Sequence, residues 1–137
     1  MSTPAGAWKA HAGAAFLAPS GPNNYLHLFV ILNDPIPFPN RGSQPCVCVV
    51  NFSTPPKALP YDQTCVFRAN CHPFIKHDSF VYYRMARDLF ARDVEANIAS
   101  GIWTLQPPDF SAVDVQTLTQ GLFNSPHTPR DLKSLKI

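Results

Sequence analysis

Continuous and alternating apolar segments divide the first part of this chain into short strands. Residues 25–33 (YLHLFVILN) and 46–52 (CVCVVNF) are almost wholly apolar and rich in β-branched and aromatic side chains, which predicts two buried strands. Shorter apolar runs predict further strands at 13–18, 64–68 and 79–85. Turn residues and prolines separate these segments, so the pattern indicates a sheet built from short strands.

The apolar pattern changes to a helical period near the end of the chain. A short helix is predicted over residues 91–100, with Gly101 directly after it as a typical helix-ending residue. A second helix is predicted over 111–124, with Asp109 or Ser111 as its capping residue. Its apolar stripe consists of Phe110, Val113, Val115, Leu118 and Leu122.

The number of prolines favours a mainly β fold over a helical one. The chain has 137 residues, enough for one domain, and its 15 prolines are hard to reconcile with a helical bundle. We predict a mainly β, α+β fold, a strongly bent sheet or barrel spanning residues 13–124 with the two helices late in the chain. Residues 1–12 are predicted to be a loose tail and 125–137 a polar, peripheral one, and the proline-rich residues 34–45 an extended loop.

Net charge, apolar run length and cysteine content bear on nucleic-acid binding, on membrane association and on the state of the thiols. A net charge of +2 with 15% charged residues is too balanced to indicate nucleic-acid binding by itself. The chain shows no secretory layout at its start and no apolar run near the ~20 residues that span a bilayer. We therefore expect a soluble, cytoplasmic protein with no membrane partner. The cysteines at 46, 48, 65 and 71 are then expected to be reduced, buried thiols on strands.

Chemistry-bearing side chains concentrate in residues 71–84 (CHPFIKHDSFVYYR). A metal site is one interpretation, because this segment contains the acceptable zinc ligands Cys71, His72, His77 and Asp78. A closed zinc site needs ligands that converge on one point, and no second Cys/His pair lies at a zinc-finger spacing. We therefore predict no metal and no other cofactor.

Metal-independent cleavage of RNA is a second interpretation of these residues. Attack by the 2′-hydroxyl needs one group to accept its proton, another to protonate the leaving oxygen, and cations to stabilise the phosphorane. His27, His72 and His77 are the proton-transfer candidates, because histidine titrates near neutral pH. The candidates for holding RNA are the cations Lys76, Arg84 and Arg87, which lie close together in sequence, and the stacking ring of Tyr82.

The order of the segments resembles the MazF/PemK (Kid) family of toxins from toxin–antitoxin systems. HLFVILND, CVVNFST and KHDSFVYYRMARDL stand in the same order and at similar distances as the corresponding family segments. HPFIKHDSFVYYR also resembles a signature of a divergent PemK-like subgroup. The similarity covers roughly residues 13–124 and rests on pattern and order more than on identity.

This resemblance implies an SH3-like β-barrel of the MazF/PemK/CcdB toxin type that forms a homodimer. It further implies metal-independent endoribonuclease activity on single-stranded RNA, and a cognate antitoxin whose flexible tail covers the RNA site. By position, the family's functional arginine on the first long strand corresponds to His27, and its Thr-Ser pair to Ser53 and Thr54. The family's acid and base positions fall on Tyr82 and Arg84, so the family's carboxylate is not retained there.

We therefore predict a toxin-like endoribonuclease. The predicted catalytic residues are His27, Thr54, His77 and Arg84. The predicted substrate-binding residues are Ser53, His72, Lys76, Tyr82 and Arg87. The missing carboxylate favours an alternative, a non-catalytic binding protein with the same fold. In a plainer alternative, His72 and Pro73 shape a turn and residues 76–78 form a solvated loop.

Overall fold

The structure, a computed structural model, describes residues 7–137. Their main elements are an eight-stranded antiparallel sheet and two α-helices. The strands are β1 (Ala15–Ser20), β2 (Tyr25–Ile31), β3 (Ile36–Pro37), β4 (Pro45–Ser53), β5 (Val66–Phe67), β6 (Ser79–Val81), β7 (Arg87–Phe90) and β8 (Thr104–Leu105). The helices are α1 (Ala91–Ala99) and α2 (Ala112–Asn124), and short 3₁₀ helices cover Tyr83–Met85 and Arg130–Ser134. The predicted mainly β, α+β class is confirmed. Across this range, no helix combines the length and apolar character that crossing a membrane requires.

Strand β4 is the centre of the sheet because both of its edges are paired. One edge pairs with β2 and then with β3, a short strand inside the predicted loop 34–45. The other edge pairs with β7 and then with β6. The full order is β5-β6-β4-β2-β1-β8, with β3 and β7 attached to β4 beside this path.

Each face of the sheet packs against a separate core, which explains why β2 and β4 are apolar at almost every position. On one face, Val50 of β4 packs in a cluster with Leu118 and Leu122 of α2. On the other face, Val49 packs in a second cluster with Val94 of α1. A strand buried on both sides has no polar alternation, so the continuous apolar runs correctly indicated central strands.

The predicted strand over 79–85 was wrong beyond Val81. There the chain turns through the 3₁₀ helix Tyr83–Met85 before β7 returns along the first half of β4. The turn places the ring of Tyr83 in the core, where its hydroxyl donates a hydrogen bond of 2.7 Å to the carbonyl oxygen of Leu118. The strand prediction assumed that side chains alternate between the two faces as far as residue 85, and the turn that buries Tyr83 ends this alternation after Val81.

Both predicted tails contain residues that pack against the sheet and helices. Residues 1–6 of the predicted N-terminal tail lie outside the described residues. Ala10 is buried, and its backbone N–H donates to Oε2 of Glu95 in α1 at 2.9 Å. The C-terminal segment is not peripheral, because Leu132 and Leu135 reach the core beside α2. Residues three positions apart on a 3₁₀ turn share one face, so the spacing of Leu132 and Leu135 is an apolar pattern. It is too short to stand out among the polar residues of this segment.

Gly121 of α2 lies directly against the buried ring of Tyr83. A β-carbon at this position would stand 2.6 Å from the ring atom Cζ and closer still to the hydroxyl oxygen. Alanine in place of glycine usually stabilises a helix interior by about 0.5–1 kcal/mol. Here we expect Gly121→Ala to lower the free energy of unfolding by about 1–2 kcal/mol, since overpacking outweighs the helix propensity. Urea denaturation measures the change.

Gln120 provides the matched control, because it lies exposed on the same helix. We expect Gln120→Ala to change the free energy of unfolding by less than about 0.5 kcal/mol. A Gly121→Ala protein at least as stable as the wild type would contradict the close approach of α2 to Tyr83.

Candidate functional site

Two concave clefts of about 590 and 600 Å³ meet at Ser53 and Thr54, where β4 ends. We name the first the arginine cleft, and the side chains that give it its chemistry are Tyr61, Asp62, Phe80, Tyr82, Arg84 and His127. We name the second the histidine cleft, and its corresponding side chains are Tyr25, His27, Phe74, Lys76 and His77.

Seven of the nine predicted site residues line these clefts, because three segments meet at one end of the sheet. β2 and β6 both pair with β4 in antiparallel register near its end, so their neighbouring loops lie side by side. The residues brought together are His27, Ser53, Thr54, Lys76, His77, Tyr82 and Arg84. Tyr82 and Arg84 share the arginine cleft although the strand predicted to align them ends before both.

His72 lies outside both clefts and has a structural role. Its ring is 3% exposed and stacks on the ring of Phe110 at a centroid distance of 5.0 Å. Nδ1 accepts from the backbone N–H of Phe74 at 3.1 Å, so the proton of the neutral ring is on Nε2. Nε2 then donates to the carbonyl oxygens of Gln106 and Pro108, each at 3.0 Å. Both ring nitrogens are therefore engaged, and His72 links its loop to the segment before α2 at a position that is buried and outside the two clefts.

Arg87 also lies outside both clefts. It belongs to β7, and its guanidinium carbon lies 5.3 Å from the centroid of the Phe29 ring. Lys76 lines one cleft and Arg84 the other, so the three cations that are close in sequence do not form one cluster. The turn at Tyr83–Met85 separates them, because it breaks the extended chain that their spacing implied.

The histidine cleft combines two imidazoles with an ammonium group and aromatic rings. His27 comes from β2 and is half-buried, and its Nδ1 lies 2.8 Å from the hydroxyl oxygen of Ser20 on the paired strand β1. Lys76 and His77 are exposed on the loop that leads into β6. Tyr25 is 68% exposed at the cleft. Such a surface offers proton-transfer groups, positive charge and ring faces together.

The arginine cleft contains a histidine that the sequence analysis missed. Arg84 donates from Nη2 to Nδ1 of His127 at a distance of 3.2 Å. Because a guanidinium group only donates, Nδ1 must accept, and the neutral imidazole then carries its proton on Nε2. No sequence signal marked His127, since it lies in the segment predicted to be a peripheral tail and reaches Arg84 only through the packing of that segment.

Asp62 is the second residue of this cleft that was missed. Its Oδ2 accepts from the hydroxyl of Ser125 at 2.5 Å, and its Oδ1 accepts from the backbone N–H and hydroxyl of Thr64 at 3.0 and 2.6 Å. Burial alone raises the pKa of Asp62, but these hydrogen bonds and the nearby His127 outweigh it and hold the pKa below its usual value. The carboxylate of Asp62 therefore stays ionised at neutral pH and accepts hydrogen bonds, and it is poorly suited to accept and release protons.

The cysteines take no part in either cleft. Cys46, Cys48 and Cys65 are buried free thiols, the first two on β4 as predicted, and burial raises the pKa of Cys48 to about 12. Cys65 precedes β5, and Cys71 is exposed on a loop, so the expectation of a buried strand position was wrong for Cys71. Among residues 7–137, no three His, Cys, Asp or Glu side chains gather as ligands for a metal ion.

Comparison with known proteins identifies no relative of this chain, since no family model, no curated protein and no solved structure matches it. The resemblance to the MazF/PemK family accordingly stays a prediction. The chemistry of this protein is therefore inferred from the side chains of the two clefts.

The lowered pKa of Asp62 makes stability depend on pH. Its contribution is fully present above the unfolded-state value of about 3.8 and is lost as pH falls through the lower native value. We expect wild type to be more stable than Asp62→Asn at neutral pH, and this difference to shrink steadily at acidic pH below about 4. Urea denaturation of both proteins across this pH range measures it.

Asp93→Asn removes an equal charge at an exposed position of α1 and controls for net charge. A difference between wild type and Asp62→Asn that keeps its size down to the acid limit would contradict the role given to the bonds from Ser125 and Thr64.

Proposed function

We propose that this protein binds single-stranded RNA across the two clefts and cleaves it without a metal ion, as a divergent endoribonuclease of the MazF/PemK type. The observation that carries the proposal is the meeting of the clefts at Ser53 and Thr54. Two imidazoles and an ammonium group lie on one side of this meeting point, and a guanidinium group lies on the other. RNA cleavage through the 2′-hydroxyl needs these types of group and no others.

The aromatic rings support a single-stranded rather than a double-stranded substrate. Tyr25 and Phe74 are 68% and 39% exposed in the histidine cleft, and Tyr61 and Tyr82 line the arginine cleft. Unpaired bases stack on such rings with about 1–3 kcal/mol per base, whereas the bases of a duplex are already stacked. Lys76 and Arg84 then meet the phosphates between the bases.

The proposed reaction takes place between His27 and His77. One imidazole accepts the proton of the 2′-hydroxyl, whose oxygen forms a bond to phosphorus as the bond from phosphorus to the 5′-oxygen breaks. The other imidazole, as its cation, donates a proton to that 5′-oxygen. Lys76 stabilises the added charge of the phosphorane, and the hydroxyl of Thr54 donates a hydrogen bond to it. The products are a 2′,3′-cyclic phosphate and a 5′-hydroxyl.

The connectivity of the sheet supports the SH3-like barrel that the toxin type implies. β4 pairs on both edges, and the chain from β6 through the 3₁₀ helix to β7 runs back along it, so that one long strand joins all of these pairings. With the toxin type come a homodimer in the cytoplasm and a cognate antitoxin whose flexible segment covers the two clefts. These partners rest on the resemblance of the sequence segments.

A non-catalytic binding protein is the second candidate function, and one observation favours it. Asp62, the carboxylate of the arginine cleft, already accepts three hydrogen bonds from Ser125 and Thr64. It cannot serve readily as the base that the family's carboxylate supplies. If His27 and His77 do not transfer protons, the clefts would bind their partner without cutting it.

Cleavage of a single-stranded RNA by the purified protein in excess EDTA tests both candidates. We expect His27→Ala and His77→Ala each to slow cleavage by about 10²–10⁴-fold, the usual contribution of general acid–base catalysis. Arg87→Ala is the matched control, because it removes a cation that lies outside both clefts. Its rate should stay within about threefold of wild type, the effect of a small change in net charge.

Wild-type cleavage that neither histidine substitution slows would refute the assignment of the catalytic residues. RNA binding without cleavage, with growth arrest of expressing cells but no RNA decay, would favour the binding protein. Absence of RNA binding and cleavage would refute the endoribonuclease, and absence of growth arrest as well would leave no support for a toxin of either kind.

A further inference from the structure

Hydrogen bonds link four residues at the arginine cleft, of which Asp62, His127 and Arg84 line it and Ser125 lies buried behind it. Asp62 accepts from the hydroxyl of Ser125 at 2.5 Å, and the same hydroxyl oxygen accepts from the backbone N–H of His127 at 3.1 Å. The ring of His127 in turn accepts from Arg84 at 3.2 Å. Ser125 is fully buried, whereas Arg84 and His127 are exposed at the cleft, so the series runs from a fixed interior point to the surface.

The outer end of this series is rich in hydrogen-bond donors. With Nδ1 of His127 occupied by Arg84, the neutral ring presents Nε2–H as a donor. The guanidinium group of Arg84 carries further N–H groups beyond the one given to His127. The single acid of the cleft, Asp62, has its oxygens engaged by Ser125 and Thr64. Donors with little competing negative charge suit an anion, and the fork of an arginine suits a phosphate in particular.

A row of aromatic rings lines the same cleft. The ring centroids of Tyr61 and Phe80 are 5.1 Å apart, and those of Phe80 and Tyr82 are 5.5 Å apart. Phe80 is buried, whereas the two tyrosines are half-buried and so stay partly accessible from the cleft. A ligand that joins a phosphate to a planar ring can therefore contact both parts of the cleft.

We propose that the arginine cleft is a nucleotide subsite, in which Arg84 and His127 bind one phosphate group and Tyr61 and Tyr82 contact the base attached to it. Asp62 and Ser125 are positioning residues, because they hold the backbone of His127 where its ring meets Arg84. This inference deepens the proposed function and rests on it for the identity of the ligand as part of an RNA chain. Binding in the subsite is independent of the proton transfers proposed for His27 and His77.

Titration of the protein with uridine 3′-monophosphate, followed by NMR of the histidine ring nitrogens in the presence of EDTA, tests the subsite. We expect the His127 ring signals to shift on binding, from a starting state with the proton on Nε2. The mononucleotide should bind at least about fivefold tighter than inorganic phosphate, since the base adds a stacking contact. Shifts confined to His27 and His77, or equal affinities for the two ligands, would overturn the proposal.

Substitutions separate the phosphate contact from the fold. We expect His127→Ala to weaken binding of uridine 3′-monophosphate by about tenfold or more, the effect of losing a hydrogen bond to a charged group. His127→Gln keeps an N–H donor near the position of Nε2 and should restore part of the affinity. Equal affinities of wild type and His127→Ala would overturn the role of His127.

Ser125→Ala and Thr128→Val form a matched pair for the positioning role. Each removes a buried hydroxyl, and that of Thr128 donates to the carbonyl oxygen of Leu122 without contacting the cleft. We expect Ser125→Ala to weaken mononucleotide binding and to abolish the Nε2-protonated signature of His127, and Thr128→Val to leave both unchanged. Equal effects of the two substitutions would show a general loss of stability and overturn the positioning role.

The same measurements distinguish failure of the subsite from failure of the proposed function. If wild type cleaves no RNA but binds the mononucleotide through His127, the subsite holds and the endoribonuclease proposal fails. If wild type cleaves RNA while the mononucleotide leaves the His127 signals unmoved, the endoribonuclease proposal holds and the subsite is refuted.

Discussion

Pairing of β4 on both of its edges is the constraint from which the rest of the molecule follows. Four strands bind to this one strand, and both of its faces are covered by cores. Since every backbone polar group along a buried strand needs a partner, the strands on either side are held in fixed register. That register brings the start of β2, the loop before β6 and the loop after β4 to one end of the sheet, where the two clefts meet at Ser53 and Thr54.

The buried tyrosine at the 3₁₀ turn decides how this end of the sheet is shaped. Tyr83 bonds to the backbone of α2 at Leu118, and Gly121 leaves the space that its ring occupies. The contact fixes α2 against the sheet and turns the chain out of the strand between β6 and β7. As a result Tyr82 and Arg84 on either side of it are both placed in the arginine cleft. A packing contact in the core thus sets the positions of Arg84, proposed to bind a phosphate, and of Tyr82, proposed to contact a base.

Local patterns predicted the parts of the fold that depend on local chemistry. Continuous apolar runs indicated β2 and β4, and Ser111 caps α2 as its position suggested, accepting from the backbone N–H of Asp114 at 3.1 Å. The break after Val81 was not predictable in this way, because it depends on a hydrogen bond between Tyr83 and a residue 35 positions away. Seven of the predicted residues lie together in the clefts because they flank strands that pair, whereas His72 lies apart from them because it bonds to Gln106 and Pro108, which are distant in sequence.

The C-terminal segment shows most clearly why composition is a poor guide to a site. Its polar residues predicted a solvated tail, yet Leu132 and Leu135 anchor it in the core, and this anchoring delivers His127 to Arg84. Ser125, fully buried, links the segment to Asp62 on a loop 63 positions earlier in the chain. In the proposed subsite this support holds the backbone of His127 where its ring meets Arg84, so that the two side chains lie close enough to donate to one phosphate group.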